Sequence, residues 1–508
     1  MAQKPNFLIF CTDQMHGRSL GCAGNPDVRT PNLDRLAEAG TRFSRAYCPN
    51  PLCTPSRASL ITGLTPRQHG ALTNGTPLPE HIPTVTAALA AAGYHTHSVG
   101  KLHLQPWMGY GPHRANPDLP FSWEDEVRWN EGEITRLPSP YYGFASTDFV
   151  GGHVEYVHGQ YANWLRREHP GAIEGYRPER AEGAVAGRND CWRLGIDADL
   201  HYNRWIADRT IDYLAARPPG EPFFVWCSFP DPHFPFAAPR PYSRMYDPAS
   251  LALSPTWQQA EDPTAFLAEF RRSYAGGTGV TEPDLREIVA QTYGMITHVD
   301  AEIGRVLRRL ERSGLAENTV VAFLADHGEY LGAHHLLYKS VWPYEELLGV
   351  PLIWRAPGGR AGQAPEEAVS LLDFAATVVD YAGLDASWFD LRVYGQADRP
   401  TLPGRSLRAC IDAGQPVAAD RPVLVEFDED GRPGPMTRMR TIIRGRHKLT
   451  IYAAQPDGLL FDLDADPNET MNLWADAGRR DLRADLLAEL ARELARTDRL
   501  DAPRWGGA

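Results

Sequence analysis

The chain has 508 residues, 43% of them hydrophobic, and a formal net charge of −13. That length suits one large domain with a smaller companion. The negative balance argues against a phosphate-backbone partner, which needs a basic surface, but it permits a local cationic pocket around a small anion. The opening MAQKPNFLIFCTDQ holds an apolar run too short for a leader or a membrane span, and no later stretch reaches spanning length. The seven cysteines are odd in number and show no CxxC pair. They predict neither a disulfide framework nor a zinc knuckle, and a reducing, cytoplasmic setting is the expectation.

Asn6 to Thr12, NFLIFCT, reads as a buried parallel strand. It ends at Asp13-Gln14, where ligand groups gather in open α/β sheets. Two adjacent oxygen donors suit a hard cation, although alone the pair also reads as a strand-ending turn. Thr30-Pro31 opens a short helix that ends near Gly40. In Cys53-Thr54-Pro55-Ser56-Arg57, Pro55 fits a first helical turn, so the spacing predicts Cys53 at a helix N-terminus. Free N–H groups there favour an oxyanion or a nucleophilic oxygen. Residues 84–92 read as a helix and 94–99 as a strand that runs into Gly100-Lys101-Leu102-His103, with Lys101 and His103 on one side of an extended segment. Residues 104–200 are irregular and aromatic-rich. They read as an insertion over the active-site face that either shapes access or packs as a flap.

A helix over 202–215 and a buried strand over 222–229 deliver Pro230-Asp231-Pro232-His233-Phe234-Pro235, in which prolines bracket His233. Residues 293–312 form an amphipathic helix pattern. The strand pattern 319–325 ends at Asp326-His327-Gly328-Glu329, and Lys339 follows twelve residues after His327. From about residue 400, short strand-like runs at 422–427, 437–443, 447–452 and 459–463 predict a small antiparallel sheet. A final helix carries Leu482, Leu486, Leu490 and Leu494 as a docking stripe. The tail 501–508 reads as loose or as reaching a neighbouring subunit.

CTPSR with its ASLITGLTPRQHG continuation resembles the sulfatase family of the alkaline-phosphatase-like superfamily. Asp13-Gln14, the GKxH turn, the P-H-x-P segment, DHGE with Lys339, and LFDL with DPNE and Asn472-Leu473 follow in the family's order. The resemblance implies an α/β fold: a large, mostly parallel sheet flanked by helices over residues 1–399, then a small α+β subdomain over 400–508 with an antiparallel sheet and a helix. It implies that Cys53 is oxidised to formylglycine by a formylglycine-generating enzyme. Asp13, Gln14, Asp326 and His327 would hold one divalent metal, Ca²⁺ ahead of Mn²⁺ or Mg²⁺. Arg57, Lys101 and Lys339 would face the ester's charge, and attack would give a covalent sulfated intermediate. Lys339 or His233 would serve the leaving oxygen, and His103 would act as the base that releases sulfate. Asn74 lies near a further active-site amide of relatives.

The Asp-Gln and Asp-His ligand pairs resemble those of the phosphonate monoester hydrolase and choline-sulfatase-like branch, whereas Lys101 and His103 are the sulfatase choice. The expectation is therefore hydrolysis of a small-molecule sulfate ester, with phosphonate monoester or phosphodiester cleavage as the alternative. A silent sulfate-ester-binding relative is the remote reading. No nucleic-acid or membrane partner is expected, and relatives with this ligand set suggest a homodimer or homotetramer.

Overall fold

The NFLIFCT run forms β1 (Asn6–Thr12), every residue of it buried. It lies at the centre of an eight-stranded sheet, and continuous apolar runs of this kind fit a strand covered on both faces. The computed structural model describes residues 4–108, 121–183, 188–218, 220–259, 261–274, 276, 279–385, 402–429 and 437–498. The expected boundary at 399/400 and the tail 501–508 lie outside the described residues.

After β1 come β2 (Thr41–Arg42), β3 (Ala46–Tyr47), β4 (His95–Gly100), β5 (Ser146–Gly151) and β6 (His158–Gly159). Next are β7 (Phe223–Ser228), β8 (Thr319–Ala325), β9 (Gly349–Val350), β10 (Leu352–Arg355) and β11 (Val369–Ser370). The main sheet has the order β2-β10-β8-β1-β7-β4-β5-β6. Its inner strands β8, β1, β7, β4 and β5 run parallel to one another, while β10 pairs antiparallel with both β8 and the edge strand β2, and β6 pairs antiparallel with β5 at the other edge. The register sets Cys11 beside Ser228 and Thr12 beside Ala325, so the carboxyl ends of the inner strands open onto one edge of the sheet. The strands β11-β3-β9 form a small separate sheet.

The long helix spans Glu282–Arg312, beginning eleven residues before the amphipathic stretch expected at 293. Thr281 and Asp284 close a capping box there and Pro283 lies in the first turn, a start signal stronger than the apolar spacing downstream. The 104–200 segment is more regular than its composition implies. It adds β5 and β6 to the sheet and the helix Gln160–Glu168 beside them. Trp129 and Tyr141 pack into the main core, whereas Trp107 lies edge-on to His153, 5.5 Å between centroids. One part of the segment is thus a packed flap and another part borders the site.

The C-terminal strands β12 (Val423–Glu429), β13 (Thr437–Arg444), β14 (His447–Tyr452) and β15 (Leu459–Asp462) form an antiparallel meander. The helix Arg480–Arg496 buries Leu486 and Leu490 against Leu424, Ile442, Leu449 and Leu460, with Leu482 and Leu494 half-buried at the margin. Lys448 on β14 is fully buried and bonds to Glu345 (2.8 Å) and Glu469 (2.7 Å), which ties this sheet to the short helix Glu345–Leu348 between β8 and β9. No helix among the described residues is long and apolar enough to cross a membrane.

Candidate active site

Each inner strand delivers one part of the site at its carboxyl end. β1 leads into Asp13-Gln14, β8 into Asp326-His327, β4 into Lys101 and His103, β7 into the turn bearing His233, and β5 into His153. Gly100 makes the β4 exit possible: it takes φ +96°, and a Cβ there would collide with the Ser228 carbonyl oxygen.

Cys53 is the first residue of the helix Cys53–Thr62, as the proline spacing predicts. Its side chain is buried, with Sγ 3.0 Å from Lys339 Nζ, 3.2 Å from His327 Nε2 and 3.6 Å from Asp13 Oδ1. Burial, reinforced by the Asp13 charge, pushes the thiol up. Asn74 stands beside this helix start, its Oδ1 accepting from the Thr54 N–H at 3.0 Å. That contact satisfies one free N–H of the helix start.

Arg57 is 1% exposed and lies beneath the cysteine. Its Nε pairs with Asp326 Oδ2 at 2.7 Å, its Nη2 with Asp13 Oδ2 at 3.3 Å, and its Nη1 donates to the Lys101 carbonyl and to Ser228 Oγ. A planar five-donor cation therefore holds both carboxylates in place. The Lys101 ammonium also pairs with Asp13 and touches His153 Nε2. Burial opposes the Asp13 charge, yet Lys101, His233 and Arg57 hold this carboxyl well below the usual range.

Burial pushes these histidines toward the neutral form. Burial and Lys339 bring His327 down to about 4, and burial and Lys101 bring His153 down to about 3. His233 and His103 are lowered well below 6.5, by burial first and then by His153 and by Lys101 respectively. His327 Nδ1 donates to the Gly328 carbonyl at 2.9 Å, so its Nε2 keeps a lone pair toward the site. His233 is fixed the same way by the Phe234 carbonyl and faces Lys339 Nζ with Nε2 at 3.0 Å.

One cation fits these residues. Asp13, Cys53, Asp326 and His327 bring donor atoms within 4.8 Å of one another, all buried. Gln14 Oε1 is buried without a hydrogen-bond partner among the described residues. Its Nε2 donates to Glu329, which also accepts from the Leu331 and Tyr338 N–H groups. A carboxylate acceptor forces the amide NH₂ to that side and leaves the carbonyl oxygen free for an ion. Glu329→Gln is expected to weaken metal binding about 10–100-fold, as loss of an outer-shell partner commonly does; titration of the metal-stripped protein followed by calorimetry measures it.

Three residues escape the motif reading. His153 contacts Lys101 and stacks on His233 with centroids 3.6 Å apart. Its signal is the Gly151-Gly152-His153 run after a strand, where Gly152 takes φ +69° to turn the chain back. Glu124 accepts from the N–H groups of His103 (2.7 Å), Leu104 (2.9 Å) and Gln105 (3.3 Å) and so shapes the turn that presents His103. Burial holds its carboxyl up at about 6. Glu329, quoted within DHGE, orients Gln14. Neither glutamate sits in a pattern that announces its role.

A buried cluster of carboxylates, imidazoles and cations around Cys53, on the carboxyl edge of a mixed α/β sheet, is what fold and site define. The family model described as Sulfatase matches residues 5–384, and one described as N-sulphoglucosamine sulphohydrolase, C-terminal, matches residues 332–496. An arylsulfatase of Clostridium perfringens is 30% identical over 486 residues, 92% of this chain and 90% of its own. The multifunctional alkaline phosphatase superfamily protein PehA of Trinickia caryophylli is 30% identical over 480 residues, 89% of this chain and 86% of its own. Among solved structures, the phosphonate monoester hydrolase of Agrobacterium radiobacter superposes with a TM-score of 0.79 at 27% identity, covering 98% of this chain and 97% of that one. The chain belongs to the sulfatase family, a family of hydrolases.

Proposed function

We propose that this protein hydrolyses small-molecule sulfate esters in the manner of an arylsulfatase, using formylglycine made from Cys53. The observation that carries the reading is the setting of residue 53: a helix N-terminus with Lys339 Nζ at 3.0 Å, and Arg57 and Lys101 paired to the carboxylates beneath it. An anionic ester approaching that point meets the Lys339 ammonium, while Arg57 and Lys101 offset the two carboxylates beneath, which suits a reaction whose charge shifts onto oxygen.

When bound to Asp13, Gln14, Asp326 and His327, a hard divalent ion supplies Lewis acidity at residue 53, and the formylglycine hydrate supplies the attacking hydroxyl. The predominance of oxygen, three donors of the four, suits a hard ion, Ca²⁺ ahead of Mn²⁺ or Mg²⁺. Lys339 is the proton donor nearest the nucleophile and serves the leaving oxygen, while His233 Nε2 orients it. His103 is buried and neutral, with no partner at Nδ1 among the described residues, and takes up the proton as sulfate departs. Cys53 is 1% exposed, so a formylglycine-generating enzyme would act transiently, before folding closes over the residue.

Cleavage of phosphonate monoesters or phosphodiesters is the second reading. It is favoured by the likeness to a phosphonate monoester hydrolase and by the Gln14 and His327 ligands. Its test is a matched comparison on protein whose residue 53 has been identified by peptide mass. An aryl sulfate and an aryl phosphonate monoester with the same leaving group should show a higher kcat/KM for the sulfate. A clear phosphonate preference would reverse the ranking and make the ligand set, not Lys101 with His103, the determinant of specificity.

A further inference from the structure

Behind the catalytic edge lies a second group of ligand-type side chains that the mechanism does not use. His201 is the residue before the helix Tyr202–Ala215, Asp231 sits in the turn after β7, and His298 is midway along the helix Glu282–Arg312. All three are 0% exposed, and one donor atom from each lies within 4.8 Å of the others. The chain reaches this point from three separate elements.

The polar atoms around this point are under-satisfied. His201 Nε2 and Asn203 Oδ1 are buried with no hydrogen-bond partner among the described residues, and each such group costs free energy unless something else binds it. Asp231 accepts from the Tyr202 hydroxyl on Oδ1 and from Asn203 Nδ2 on Oδ2 (2.7 Å), which leaves a lone pair on each oxygen. His298 Nδ1 is the nitrogen on the Asp231 side, 3.5 Å from Asn203 Nδ2, while Glu302 Oε1 stands 3.8 Å from His298 Nε2, a carboxylate behind the imidazole, as ligand histidines commonly have.

We propose that His201, Asp231 and His298 form a second, structural metal site that takes Zn²⁺, with Asn203 Oδ1 or a water as the fourth ligand. Two imidazoles and a carboxylate suit zinc better than Ca²⁺, which prefers an all-oxygen shell. Burial keeps both imidazoles neutral, with His298 brought down to about 3, so their lone pairs are available at neutral pH. The ion would staple the two helices to the turn that carries His233 two residues beyond Asp231. The Asp231 carbonyl already accepts from the Asp13 N–H at 3.3 Å, so this anchor also steadies the floor of the catalytic site.

Crystals of the full chain grown from zinc-supplemented cultures should show an anomalous peak among His201, Asp231 and His298 that appears above the zinc absorption edge and vanishes below it. Elemental analysis should find that His298→Gln loses one zinc per chain while the ion at Asp13 and Asp326 is retained. Edge-independent density of water size at that point in the wild-type crystals would overturn the proposal. So would an unchanged zinc content in His298→Gln. The wild-type map decides the matter even if the variant does not fold.

Discussion

Cys53→Ala is expected to abolish turnover, with kcat/KM on an aryl sulfate falling about 10⁴-fold or more, as loss of a nucleophile does. The same variant should keep its fold. Cys53 opens a helix whose ten residues are all buried, and alanine retains the Cβ and the helix-forming backbone, so the cost in stability should be small, about 1 kcal/mol. Asp13 and Asp326 remain held by Arg57, so metal affinity should change little. Kinetics, thermal unfolding and metal titration on one preparation separate these effects. Wild-type-like turnover would remove residue 53 from the chemistry altogether.

Lys339→Ala is expected to lower kcat/KM about 10²- to 10⁴-fold for esters of weakly acidic alcohols, the range of a lost general acid. The loss should be much smaller for esters of acidic phenols, whose oxygen leaves without a proton. Lys339 and His233 both follow the family pattern, and sequence does not choose between them. Lys339 Nζ is 3.0 Å from Cys53 Sγ, whereas His233 meets Lys339 and stacks on His153, which supports Lys339 as the donor. His233 is also neutral, so it has no proton on Nε2 to give once Nδ1 is committed to the Phe234 carbonyl. His233→Ala should therefore slow all esters alike and by less. A leaving-group dependence that appears in His233→Ala and not in Lys339→Ala would exchange the two roles.

The parts of this site that were legible in sequence share a physical form. Each lies within a few residues of a continuous apolar strand, so β1 places Asp13-Gln14 and β8 places Asp326-His327 by local chain direction alone. Parallel pairing then aligns the strand ends, and residues far apart in the chain arrive on one edge without any further signal. Helix Cys53–Thr62 was readable because proline tolerates only a first turn. The meander and its docking helix were readable because their apolar periods match their geometry.

What escaped has the opposite character. His153 matters only because β5 pairs with β4, a long-range choice inside a segment whose aromatic and glycine content conceals a strand. Glu124 and Glu329 act through N–H groups and an amide brought to them by the folded turns. Residues 104–200 could not be divided by composition into a packed portion and a site-facing portion, because burial depends on which neighbours arrive. Sequence by itself determined the long apolar strands, the helix start at Cys53 and the residues that follow those strands, since hydrophobic period and backbone restriction are local properties. Only the tertiary structure decided which cation lies nearest Cys53, which way Gln14 turns its amide and which histidine joins the site, because those outcomes are set by distances between atoms that the chain order leaves free.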